Sequence, residues 1–361
     1  MVSKRYFIFV PLLFIAACAF AENAGVTQPD NTLADQQAYC QYVTEQAAAQ
    51  RDLLLTPSAI AGATQPNTGL PMQFVWGLSG SLSNARKAVL TTDAARKSCD
   101  LYNAATAAQQ SIQYALPSLE KRALEHRLDL IQQASGELDA AIAATTKMVE
   151  ARNVTRPMLF SLQTTRIKLG ADQADTQMKI AALYTPAPLN APVKQLVAEK
   201  QRSEANEQQA LDKLNRQNNW DVSLSIGAHQ QINPLLNNAG PYGAITVSYN
   251  LASRAINKHL DQAADSYAGW KKVQENDVTS NAAILKSQVA AGISAQTDRL
   301  KALQEQQKLV QSNLQLVSEP DTTAALDFHN QLSTTQLLLG IEIGDATFRL
   351  EQLQDFMESN Y

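Results

Sequence analysis

The chain has 361 residues, enough for two or three ordinary domains. Aromatic residues are only 6%, and Ala, Gln, Leu and Ser/Thr dominate, which suits long helices with thin seams better than thick globular cores. The formal net charge of −4 excludes the basic surface that nucleic acid requires.

Export chemistry opens the chain. Met1–Arg5 is basic, Tyr6–Ile15 is apolar, and Ala19-Phe20-Ala21 precedes Glu22, so residues 1–21 read as a signal peptide. A second reading stays open: Ile15-Ala16-Ala17-Cys18 resembles a lipobox, with Cys18 as an acylated first residue. The apolar run is about half of the ~20 residues a spanning helix needs. Once Cys18 is removed or acylated, Cys40 and Cys99 remain, an even pair in an exported protein.

A polar helix is expected over about Asp30–Arg51. The text LLLTPSAIAGATQ, PNTGLP, MQFVWGLSGSLS follows, with Met72, Phe74, Trp76 and Leu78 alternating against Gln73, Gly77 and Ser79. A period of two around a turn predicts a β-hairpin over about 52–83. A helical run over about 84–152 comes next, roughly 100 Å long at 1.5 Å per residue. Pro117 sits inside it, where a lost hydrogen bond favours a kink. The breaker RNVTRP (152–157) opens a returning helix, and Thr185–Pro192 stops that helix with three prolines.

The same grammar then recurs. WDVSLSIGAHQQ, INPLLNNAGP and YGAITVSYNLAS predict a second hairpin over about 219–252, with Val222, Leu224 and Ile226 alternating against Ser223, Ser225 and Gly227. A second long helix is expected over about 253–318. Beyond SEPDTT (318–323), where Ser318 or Asp321 suits a cap, lies a second returning helix. The mature chain therefore divides into two structural repeats, 22–190 and 191–361, a duplicated module and not a solenoid. Cys40 lies about 12 residues before its strand and Cys99 about 15 after the paired strand. That places them at similar depth on adjacent helices and predicts a Cys40–Cys99 disulfide.

Each hairpin has one apolar face and one small, polar face, the dyad pattern of a membrane barrel strand. Strands of about 10–12 residues fit a tilted crossing. Four strands close no membrane barrel, so copies must share one; three give twelve strands, and Phe74, Trp76, Trp220, Tyr242 and Tyr249 are then expected in the aromatic girdles. The fold class expected is mostly α with a small β part, two tandem helix–hairpin–long-helix–returning-helix repeats assembled as a homotrimer.

The stretches NLASRAINKHLDQAADSYAGW and SLSNARKAVLTTDAARKSCDLYNAA resemble the strand-to-helix junctions of TolC-type outer membrane efflux ducts. The Leu-Phe-x-Gly-Gly that is common at that junction is absent. The resemblance implies a homotrimeric twelve-stranded β-barrel in outer membrane lipid, continued by an α-helical barrel through the periplasm. It also implies partners: a periplasmic adaptor protein and an inner-membrane transporter, of an efflux or type I secretion system. By position, Asp327 in AALDFHNQLSTTQ matches a pore-constricting aspartate, while the other aspartate position falls near Ala324 and is lost. The adaptor would meet the tips at Asn153, Val154, Thr155, Glu319 and Asp321.

His126, His229, His259 and His329 share no metal-like spacing, and neither a nucleophile motif nor a phosphate loop occurs, so a non-enzyme without metal or cofactor is expected. Two other readings compete with the duct: a helical pore-forming or surface protein with membrane-inserting hairpins, and a periplasmic coiled-coil scaffold.

Overall fold

The computed structural model describes residues 32–64, 72–151, 154–186, 191–217, 219–232, 239–273, 277–318 and 322–361. The expected signal peptide, Cys18, Asn153, Glu319 and Asp321 lie outside them. The protein is mostly helical with one small antiparallel sheet.

Helix α1 (Thr32–Leu55) leads into strand β1 (Ser58–Thr64). The helix outlasts its expected end because Thr56 still donates its N–H and hydroxyl to the Asp52 carbonyl, at 3.0 and 2.6 Å. Pro57 then ends it, since proline bars a helical conformation in the residue before it. The first hairpin consequently starts at Ser58 and not near 52. β1 has 7 residues and β2 (Gln73–Ser81) has 9, shorter than expected.

Helix α2 runs unbroken from Leu82 to Glu150, straight through Pro117. Its 69 residues correspond to about 100 Å. Ser81 caps it by accepting the Asn84 N–H at 3.0 Å. Helix α3 (Arg156–Ala182) returns, with Pro157 in its first turn, and α4 (Val193–Arg216) climbs back to strand β3 (Trp220–Gln231). β4 (Ala239–Tyr249) completes the second hairpin.

The second long helix is not continuous. It divides into α5 (Ser253–Val273) and α6 (Val278–Leu316), with Asp277 extended at φ −80°, ψ 150° as the N-cap of α6. Buried Lys200 holds Asp277 there through a 2.8 Å hydrogen bond from Nζ to Oδ1. Helix α7 (Thr323–Asn360) returns, and its cap is Thr322, which accepts the Ala325 N–H at 3.2 Å.

The two hairpins lie side by side in one sheet of order β1-β2-β3-β4, antiparallel throughout. Below the sheet, two apolar seams replace a single core. One joins Ile112 and Ala115 of α2, Val193 of α4, and Leu285 and Val289 of α6, with Phe356 and Tyr361 packed against it. The other, further along, joins Ile131 and Ala134 to Leu169 of α3 and Ile341 of α7. The start of α4 meets the end of α7, within the second repeat, where the Val193 N–H donates to Asn360 Oδ1 at 2.9 Å.

Candidate functional site

Strand register sorts every residue of the sheet onto one of two faces. Phe74, Trp76 and Leu78 share a face with Leu224, Ile226, Ile245 and Val247, and all of these are exposed. The other face carries Gly77, Ser79, Gly227, Ser225, Ser223 and Thr246, and it is the less exposed one through β2 and β3. Ser225 donates to Ser79 across β2 and β3 at 3.0 Å. An exposed apolar face backed by a less exposed, mostly polar one is the reverse of a water-soluble sheet, which turns its apolar side to a core.

A glycine pair sits at the closest approach of β2 and β3. Gly77 faces Gly227 in the β2–β3 register. A Cβ on Gly77 would lie 2.2 Å from the Ile226 carbonyl oxygen, and one on Gly227 would lie 2.0 Å from that of Trp76. Only two side-chain-free residues let the backbones approach on this side.

The aromatic residues divide in a way that alternation within one strand did not reveal. Phe74 and Trp76 stand together near the loop end, their rings 5.8 Å apart. Trp220 and Tyr249 pair at the helix end, at 4.5 Å. Phe74 faces Gln230, ten residues along β3 from Trp220, or about 33 Å. In a membrane barrel, whose strands tilt near 40°, such a separation would correspond to roughly 25 Å of height, the size of the apolar band. Tyr242 does not join these four. It faces Gly227 and so lies on the polar face, which it shares with Gly240 and not with Pro241.

At the opposite end, Val154 is buried and Thr155 precedes the first turn of α3. The Thr155 hydroxyl donates to Asp327 of α7 at 3.1 Å instead of capping its own helix. Asn330 donates to the Leu326 carbonyl at 3.0 Å, and Met158 Sδ lies 3.3 Å from the same amide nitrogen. The half-buried Asp327 thus joins the tips of the two repeats.

Between tip and sheet, charged groups bridge four helices. Arg127 Nη2 donates to Asp172 of α3 at 2.9 Å and to Glu342 of α7 at 2.8 Å. Arg299 of α6 also bonds Glu342, and Arg349 bonds Glu120 and buried Asp345. Burial alone would raise the Glu342 pKa, but Arg127 and Arg299 outweigh it and hold the carboxyl below its ordinary value. A second cluster surrounds Lys200, which donates to Glu204 and Asp277, each at 2.8 Å. Burial opposes its charge, and the two carboxylates still raise its pKa. Burial, then Glu204, pushes the Tyr267 hydroxyl up.

Near the sheet, a disulfide joins Cys40 of α1 to Cys99 of α2, with Cα atoms 5.0 Å apart. Tyr39 stacks on Tyr102 beside it at 4.0 Å, and Tyr102 donates to Asp35. No local pattern in the sequence marks the glycine pair, the arginine network or the Lys200 cluster. The adjacent Asn276-Asp277-Val278-Thr279-Ser280, rich in capping residues, was the available signal for the break above α6.

No family model matches the chain, and no curated protein does. Solved structures do. One is a membrane protein from Pseudomonas aeruginosa, at 14% identity over 90% of this chain and 86% of that one, TM-score 0.43. Another is the outer membrane protein VceC of Vibrio cholerae, at 13% identity over 92% and 94%, TM-score 0.42. A third is the open MtrE outer membrane channel of Neisseria gonorrhoeae, at 14% identity over 89% and 85%, TM-score 0.42. The named channels among these structures are TolC-type outer membrane efflux channels.

Proposed function

We propose that the chain is one subunit of a passive export duct in the outer membrane, driven by a separate inner-membrane transporter. The observation that carries this reading is the four-stranded sheet, apolar and exposed on one face and mostly small and polar on the other. Among the described residues, its outer strands, β1 and β4, each have one edge without a strand partner. Unpaired edges cannot remain in hydrocarbon, where every N–H and C=O needs a partner. Copies of the chain closing a barrel supply those partners.

Two, three or four copies would give eight, twelve or sixteen strands. Eight-stranded barrels have interiors filled by side chains, whereas twelve strands lined by Gly and Ser leave a lumen; we therefore propose a homotrimer. Phe74, Trp76, Trp220 and Tyr249 form its girdles. The helices, with α2 about 100 Å long, continue the tube into the periplasm, where most of the chain lies. The tips around Thr155 and Asp327 narrow its far end and meet a periplasmic adaptor, and the duct performs no chemistry of its own.

Membrane fractionation and planar-bilayer recording test the proposal together. The expected result is a heat-modifiable oligomer in the outer membrane that opens stable, water-filled conductances. Protein recovered in the soluble fraction without detergent would contradict it.

A further inference from the structure

Helix α5 carries a stripe of charge directly below the sheet. Arg254, Lys258, Asp261 and Asp265 recur at spacings of four, three and four, so they share one face of the helix, and all four are exposed. Among the described residues only Asp261 of the four has an ion partner, Arg216 of α4, which takes its Oδ1 at 2.6 Å. Arg254, Lys258 and Asp265 have none.

The stripe borders a cavity of about 600 Å³ that Tyr249 also lines. Asn257 lines it too, and its Oδ1 is a buried acceptor with no donor among the described residues. Tyr249 pairs with Trp220 on the apolar face of the sheet, so the cavity lies on that side and just below the helix-end aromatic pair.

Height decides what such a cavity can hold. Aromatic residues at the ends of membrane strands sit at the level of the lipid headgroups, and Arg254 follows Tyr249 by only five positions. Arginine and lysine at that depth lay their stems along apolar surface and hold their charges at headgroup phosphates. The order of groups along the helix adds a second requirement. Arg254 and Lys258 are one turn apart and can grip one phosphate between them. Asn257 and Asp261 are also one turn apart, three residues further from the sheet, or about 4.5 Å. Both are acceptors, and Asp261 keeps Oδ2 free of Arg216. That offset suits the two-carbon linker between the phosphate and the amine of an ethanolamine headgroup, whose ammonium offers three donors.

We propose that this cavity is a headgroup site for an amine-bearing phospholipid, of the phosphatidylethanolamine class. Arg254 and Lys258 bind the phosphate, Asn257 Oδ1 and Asp261 accept from the ammonium, and Asp265 adds negative charge beyond it. The assignment rests on the membrane duct above and adds a ligand to it. A choline headgroup has the same charges but no N–H to donate, and a glycerol headgroup has the phosphate but no ammonium, so the site discriminates against both.

Brominated lipids, which quench tryptophan on contact, test this in the full-length protein reconstituted into vesicles. Trp76→Phe with Trp270→Phe leaves Trp220 alone beside the site. Brominated phosphatidylethanolamine is expected to displace phosphatidylcholine at Trp220 with about fivefold preference, the worth of one partly exposed ion pair. A protein that keeps only Trp76, at the other end of the sheet, should show parity between the two lipids. Asp261→Asn, which can still bond Arg216, and Arg254→Gln with Lys258→Gln are each expected to bring Trp220 to parity, since phosphate and amine are held as one unit. Parity at Trp220 before any of these changes, or a preference for phosphatidylglycerol, would overturn the site. So would displacement of the lipid by excess inorganic phosphate, which would assign the cations to a free anion. Each of those results leaves the duct standing if the same vesicles conduct, whereas protein that neither inserts nor conducts would overturn the duct itself.

Discussion

At the scale of single residues, the sheet depends on what two positions lack. Any Cβ at Gly227 or Gly77 meets backbone at 2.0–2.2 Å, and backbone cannot rotate away as a side chain can. Gly227→Val is therefore expected to cost at least the 1–3 kcal/mol typical of overpacking and to abolish the heat-resistant oligomer on unboiled gels. Gly243→Ala, where a Cβ has open space, is the control and should assemble normally. Arg127 makes a second case. Arg127→Met leaves buried Asp345 with Arg349 and Arg299, so the loss is expected near 2 kcal/mol, less than for a buried pair broken outright. Glu342 links this site to pH. Its folded pKa lies below the ordinary 4.5, so its stabilisation is complete above pH 4.5 and is lost as pH falls through the lower, folded value. Urea midpoints followed by circular dichroism between pH 7 and 3 should fall more gently in the variant.

At the scale of elements, the periods were legible and the joints were not. Alternation in Val222–Ile226 and the run from 84 to 152 identify strand and helix from local pattern alone, because a period of two and one of 3.6 have different geometric causes. Pairing β2 with β3, by contrast, brings residues about 150 positions apart into register, and no local signal encodes that. Tyr242 shows the consequence: its face depends on register with β3, and the aromatic character that suggested a girdle is independent of face. The break above α6 was hidden for a related reason. Asp277 is extended because Lys200, from another helix, holds it. Lys200→Met removes the one cation between Glu204 and Asp277 and is expected to cost about 3 kcal/mol. The effect should be local, read as faster amide hydrogen exchange in residues 278–285. The disulfide spans 59 positions, and Cys40→Ser is expected to lose up to about 4 kcal/mol by the chain-entropy account. Loosening should concentrate in α1 and β1, seen as new protease cleavage between Thr32 and Thr64.

At the scale of the whole molecule, the proposed duct makes the chain a piece of wall. One face of the sheet is apolar and exposed, the helical seams are thin, and among the described residues the two outer strands each have one edge without a strand partner. On the proposed reading, rotation supplies the missing neighbours. The repeats explain why one chain contributes two hairpins, and the ion pairs among Arg127, Arg299, Arg349 and their carboxylates explain how the repeats hold together below the sheet. The central claim is that the sheet is completed only by other copies. Native mass spectrometry of the complex, extracted from outer membranes in mild detergent, tests it most directly. The account predicts particles of three identical chains and no others in quantity. A population of single chains that keep the full β-sheet signal in circular dichroism would contradict it.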